Sequence, residues 1–179
     1  MHKTLSRTSQ ALLIATLAMP FTLQAAEDHQ DKSGHTIQVG FAELFGDLSE
    51  GNEGILFSLG YDYTNRNGII LGGYYKPELI SGSGSYAGVG ISLESDVLGF
   101  YSGYQINDNF RLTGGFSLTF AEIVMSTAYG FVSDSETNVG LNLGFDFLVN
   151  NLVVGSRLDT HDIYGVEGTT VTFNLGFKF

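Results

Sequence analysis

A histidine held between carboxylates is raw material for acid–base catalysis, and the chain offers one such group, His161 with Asp159 and Asp162 on either side. Such a base needs a serine or another nucleophile brought to it by the fold. The same triplet is also an ordinary solvated loop, and that is the reading adopted: no catalytic residue, no cofactor and no metal ligand set is assigned. His29 and His35 lie far away in sequence. A second constellation repeats. Gly60-Tyr61-Asp62-Tyr63, Gly103-Tyr104-Gln105-Ile106, Gly144-Phe145-Asp146-Phe147 and Gly176-Phe177-Lys178-Phe179 each set one polar residue between two bulky apolar ones. If the four copies occupy equivalent places, Asp62, Gln105, Asp146 and Lys178 form one layer. Arg111 opens the segment after Gln105 and joins them, and Arg157 shares their polar side. Opposite charges so gathered form either a salt-bridged plug or a gate whose pairs exchange to admit ions. A third group is acidic throughout: Asp47, Glu50, Glu53, Glu78, Glu94, Asp96, Glu122, Asp134, Glu136, Asp159, Asp162 and Glu167, with no Lys or Arg among them. These are read as solvated surface, or as an attraction for divalent cations, since hard cations favour carboxylate oxygen.

The elements that must position these residues follow from a period of two. Ile55, Phe57, Leu59, Tyr61 and Tyr63 alternate with Leu56, Ser58, Gly60, Asp62 and Thr64. The same alternation runs through 97–106, 110–120, 139–147 and 169–179, and it is the spacing of strands rather than helices. One face of each strand is greasy, and the other is mostly Gly, Ser, Thr and Asn. A soluble sandwich would show Lys, Glu and Arg on its outer faces. Small residues instead suit the cramped interior of a narrow closed barrel. The greasy face then meets lipid, and closure is required because an open sheet edge in hydrocarbon leaves amides unpaired.

Glycine-aromatic endings at one depth make four strands run one way (54–64, 97–106, 139–147, 169–179), alternating with four that return (36–44, 69–77, 110–120, 151–158). The expectation is an all-β, antiparallel, up-and-down transmembrane barrel of eight strands, with a ten-strand barrel as the alternative. Asn65–Gly68, Asn107–Asn109 and Leu148–Asn151 are the short turns. Segments 45–53, 78–96, 121–138 and 159–168 are the longer loops, and Lys76 falls at the rim. Residues 86–94 and 122–131 also alternate, but with reversed parity, and are assigned to β-extensions of the hairpins beyond the membrane. Eight strands leave an interior filled mainly by side chains, which favours the plug.

Length, charge and leader agree. The chain has 179 residues, 15% of them charged, no cysteine and a net charge of −11. Fewer charges than the roughly 25% of soluble proteins fits a membrane wall. The acidic balance excludes a nucleic-acid backbone as partner. Without cysteine there is no disulfide or thiolate chemistry. His2, Lys3 and Arg7 precede an apolar run from Ala11 to Leu23 and then Gln24-Ala25-Ala26, so residues 1–26 are read as a secretory signal peptide and 27–179 as the barrel.

The closing alternation Val171, Phe173, Leu175, Phe177 and terminal Phe179 resembles the C-terminal signature of small Gram-negative outer-membrane β-barrel proteins. The layout of leader and eight strands is similar to outer-membrane protein X and to the membrane domain of outer-membrane protein A. That resemblance implies residence in the outer membrane, contact with its lipid and lipopolysaccharide, and recognition of the last strand by the barrel-assembly machinery. The family hosts several functions. The expectation is a non-enzymatic protein contributing to cell-surface properties or envelope integrity. The alternatives are a narrow, cation-preferring, porin-like channel and, as a minor one, a lipid A-modifying enzyme in which His161 is the residue to test.

Overall fold

The computed structural model describes residues 32–49, 55–86 and 88–179. The leader reading, with Glu50 and Glu53, lies outside them. Eight strands close into one barrel: β1 (Gly34–Gly46), β2 (Leu56–Thr64), β3 (Ile69–Tyr86), β4 (Val89–Asn107), β5 (Phe110–Thr127), β6 (Gly130–Val149), β7 (Leu152–Ile163) and β8 (Val166–Lys178). Each pairs antiparallel with the next, and β1 closes on β8 with Val39 opposite Leu175 and Phe41 opposite Phe173. The count is eight, not ten. Among the described residues no helix is long and apolar enough to cross a membrane.

The alternation becomes two surfaces. Phe41, Leu59, Phe116, Leu143 and Phe173 point outward and stay exposed, Leu143 at 60%. Thr36, Asp62, Arg111, Ser117 and Thr172 point inward and are buried. The short turns are shaped by asparagine. The Asn65 carboxamide oxygen accepts the N–H groups of Asn67 and Ile69, Asn107 does the same for Asn109, and Asn150 takes a positive φ of 58°.

At the other end the expected long loops are largely strand. β3 to β6 run on as paired hairpins, with Glu94 opposite Glu122 and Ile123 opposite Asp134, and the β7–β8 hairpin turns at Tyr164-Gly165. The extensions at 86–94 and 122–131 are therefore present, and their reversed parity has a simple cause. In β4 the outward series Ile106, Tyr104, Phe100, Leu98 continues without a break into Asp96, Glu94 and Ser92, and the inward series passes through Val97 into Leu93 and Ile91. The backbone keeps its faces; the apolar residues change sides. In β3 the wall and the extension are joined by a bulge between Lys76 and Ile80. It absorbs Pro77, which has no N–H to give a ladder, and Glu78 at a φ of 52°. The Asp96 carboxylate holds it by accepting the Glu78 N–H and the Tyr75 hydroxyl, each at 2.9 Å.

Candidate functional site

The lumen is where polar chemistry collects. In a ring of eight, β1 faces β5, β3 faces β7 and β4 faces β8 across the bore. Three sets of contacts span those diameters. At the short-turn end the Lys178 ammonium on β8 donates to the Gln105 side-chain oxygen on β4 at 3.0 Å and to the Lys32 carbonyl at 2.6 Å. Beside it Arg111, on β5 and wholly buried, donates to Thr36 on β1 at 3.0 Å and to Asp62 on β2 at 2.6 Å. Its Nε stands 3.5 Å from the Asp146 carboxylate, an ion pair without hydrogen-bond geometry. Asp62 also accepts Tyr101 at 3.2 Å and Gln38 at 3.4 Å.

One step up β7, Arg157 stands apart from that layer. Its guanidinium lies over the Tyr101 ring at 4.0 Å and the Tyr74 ring at 4.5 Å, cation–π contacts that suit a flat, weakly hydrated cation. The third set follows. Lys76 on β3 reaches Asp159 on β7 at 2.6 Å and Thr170 on β8 at 2.7 Å, and the Tyr74 hydroxyl donates to the same Asp159. His161 sits between Thr170 at 3.0 Å and Thr119 at 3.2 Å. Leu44, Leu48, Leu56, Leu79, Ala121 and Ile163 pack over this set toward the extended end. Glycines make room for the crossing side chains: a β-carbon at Gly99 would land on the Tyr74 ring, and one at Gly155 on the Asp146 carboxylate.

Three expectations are corrected. Lys76 is not at the rim but wholly buried, because β3 continues past its bulge. Asp159 and His161 are not in an outer loop, because β7 continues to Ile163 and turns both inward. Asp162, the third member of that triplet, faces out and accepts the Gly165 N–H at 2.9 Å. The three therefore do not converge, and the partners of His161 are two threonine hydroxyls in a sealed interior. Tyr74, Tyr101 and Thr170 are lumen residues that the sequence analysis did not single out, and Lys76 and Asp159 join them from the rim and the loop where it had placed them. The signal for Asp159 was available, since continuing the period of two beyond Leu158 sends 159 and 161 inward.

The remaining acids are on the extended end. Glu94 and Glu122 share the outer face, Asp134 and Glu136 the inner one, and Glu136 accepts the Tyr164 N–H at 2.8 Å. The Tyr164 hydroxyl donates to the Asp134 carbonyl, and desolvation followed by the Asp134 charge raises its phenol above the ordinary range. Among the described residues no three His, Asp or Glu side chains converge as metal ligands. Lys32, Arg66, Lys76, Arg111, Arg157 and Lys178 all lie in the lumen or toward the short turns, so among the described residues the extended end bears no Lys or Arg.

The family model for the outer membrane protein β-barrel domain matches residues 11–179. Among solved structures, Ail, the attachment invasion locus protein of Yersinia pestis, determined in complex with the heparin analogue sucrose octasulfate, is 17% identical; the match covers 82% of this chain and 97% of Ail with a TM-score of 0.62. The N-terminal β-barrel domain of Pseudomonas aeruginosa OprF is 13% identical over 84% of this chain and 100% of that domain, with a TM-score of 0.53. The outer membrane protein OprG of Pseudomonas aeruginosa is 14% identical over 86% and 99%, with a TM-score of 0.50. Identities this low speak for the fold alone. No curated protein matches the chain.

Proposed function

The chain belongs to the outer membrane protein β-barrel family and resides in a Gram-negative outer membrane, and on that premise we propose that it is a non-enzymatic, non-conducting wall protein serving cell-surface properties or envelope integrity. The carrying observation is the bracing of the bore. Lys178–Gln105, Arg111–Thr36 and Lys76–Asp159 each tie a strand to the one facing it, and all three must part before ions pass. Such charges are held strongly because removing one partner leaves the other buried and uncompensated. Around the wall the partners are outer-membrane lipid and lipopolysaccharide. During biogenesis the partner is the assembly machinery, which meets the outward row Val171, Phe173, Leu175, Phe177 and Phe179. The heparin analogue bound by Ail is polyanionic; a ligand of that charge is not proposed here, because the acidic, cation-free outer end repels it.

The test is planar-bilayer recording of the purified mature protein. The expected result is silence across moderate voltages. Reproducible current steps that change in Asp146→Ala would overturn the reading in favour of a narrow, cation-preferring channel. Mass spectrometry of lipid A from cells with and without the protein is expected to show no difference; a new lipid A species lost in His161→Ala would instead make it an enzyme.

A further inference from the structure

Beyond the wall, β3 to β6 form a sheet with two unlike faces. On the outer face Ser81, Glu94, Glu122 and Ser135 align in one row. On the face turned toward the barrel axis, Leu93 stands opposite Ile123, and Ile91, Met125 and Val132 line up in the next row. These last three are 41%, 41% and 65% exposed in a part of the chain that meets water. On the β3 side the two rows end in Gly82 and Gly84, where a side chain would meet nothing within 4 Å. On the β6 side they meet Asp134, in the same row as Ile123. An exposed apolar row rimmed by polar residues marks a place of contact. The charge around this one selects the partner, since Asp134 and Glu136 border it and, among the described residues, the outer end has no Lys or Arg to oppose a cation.

We propose that this inner face of the extension binds a cationic, amphipathic peptide, whose apolar side chains cover Ile91, Ile123, Met125 and Val132 while its bases meet Asp134 and the acidic rim. A second copy of the chain is the poorer occupant, because it brings the same acids to the contact. The proposal does not depend on whether the lumen conducts.

The experiment uses the mature protein in nanodiscs of neutral phosphatidylcholine, with empty discs as background, and fluorescence anisotropy of labelled ten-residue peptides. A Lys/Val alternating peptide is expected to bind, a Glu/Val peptide at least 100-fold more weakly and a Lys/Ser peptide at least tenfold more weakly. Met125→Ser combined with Val132→Ser should weaken the Lys/Val peptide tenfold or more, and Asp134→Asn should weaken it several-fold and flatten its salt dependence. Ser133→Ala, on the outer face, should leave it unchanged, and circular dichroism melts of all variants check that the barrel is intact. No binding of the Lys/Val peptide, equal binding of the Glu/Val or Lys/Ser peptide, or indifference to the Met125/Val132 change overturns the proposal. So does a concentration-dependent dimer lost in the Met125/Val132 variant, which assigns the face to a second copy.

Discussion

Strands β4 to β6 pass through two surroundings without changing their backbone pattern, and their side chains trade faces where they cross. In the wall, Phe100, Phe116 and Leu143 point outward while Tyr101, Ser117 and Asn142 point inward. In the extension, Glu94, Glu122 and Ser135 point outward while Leu93 and Ile123 point inward. Alternation thus identifies a strand, and the side on which the apolar members fall identifies the solvent beyond it. Charge follows the same division. Arg111, Lys76 and Asp159 are wholly buried and each is tied across the bore, whereas Glu94 and Glu122 stand directly opposite one another as like charges. Water and salt screen an exposed pair of that kind but reach a buried one far less.

If the wall holds its charges by pairing, removing one cation there must produce the largest loss. Arg111→Ala strands the Asp62 and Asp146 carboxylates in the interior and is expected to destabilise the barrel by about 3–5 kcal/mol, read from urea unfolding in lipid vesicles. A loss below 1 kcal/mol would mean that water already solvates the layer and that the bore is not braced there. The outer face offers the next largest contrast. Leu143→Arg, at mid-height on the lipid side of β6, is expected to destabilise by about 2–4 kcal/mol. Ser133→Arg, on the same face of the same strand but in the extension, should stay within about 0.5 kcal/mol of zero. Equal effects at the two positions would erase the boundary between them.

How much of this was readable beforehand depended on whether the signal was local. The period of two over 110–120 and 139–147 and the four glycine-aromatic repeats are local, and they carry the strand count and direction. The repeats also pointed to one depth for Asp62, Gln105, Asp146 and Lys178. Which of them meet was not readable, because Gln105 and Lys178 come together across the bore from strands four steps apart in the ring. The upper brace was hidden twice. A strand read as 69–77 with a loop after it puts Lys76 at the rim, although a bulge absorbs Pro77 and β3 resumes at Ile80. Asp159 and His161 look like loop residues because they are polar, yet Lys76 and Thr119 of β5 supply partners from far along the chain, and Thr170 supplies another from the neighbouring strand β8. Polarity on an inward position is explained only by what faces it.

The smallest effect is the most discriminating, because its sign differs between the two regions. Glu94 and Glu122 are both exposed and directly paired on the outer face of the extension. Opposed like charges on a sheet are destabilising, so Glu94→Gln is expected to stabilise the protein by about 0.2–1 kcal/mol. Since the repulsion acts through water, the gain should shrink as salt is raised from low to physiological concentration. The matching change in the wall, Asp62→Asn, removes a carboxylate 2.6 Å from the Arg111 guanidinium and leaves that cation short of its closest counter-charge, so the barrel loses stability and salt changes little. Unfolding both variants at two salt concentrations compares the regions directly. Opposite signs, with salt dependence confined to Glu94→Gln, are what a braced interior and a solvated extension require. A stabilising Asp62→Asn would place the lower layer among the water-exposed charges instead.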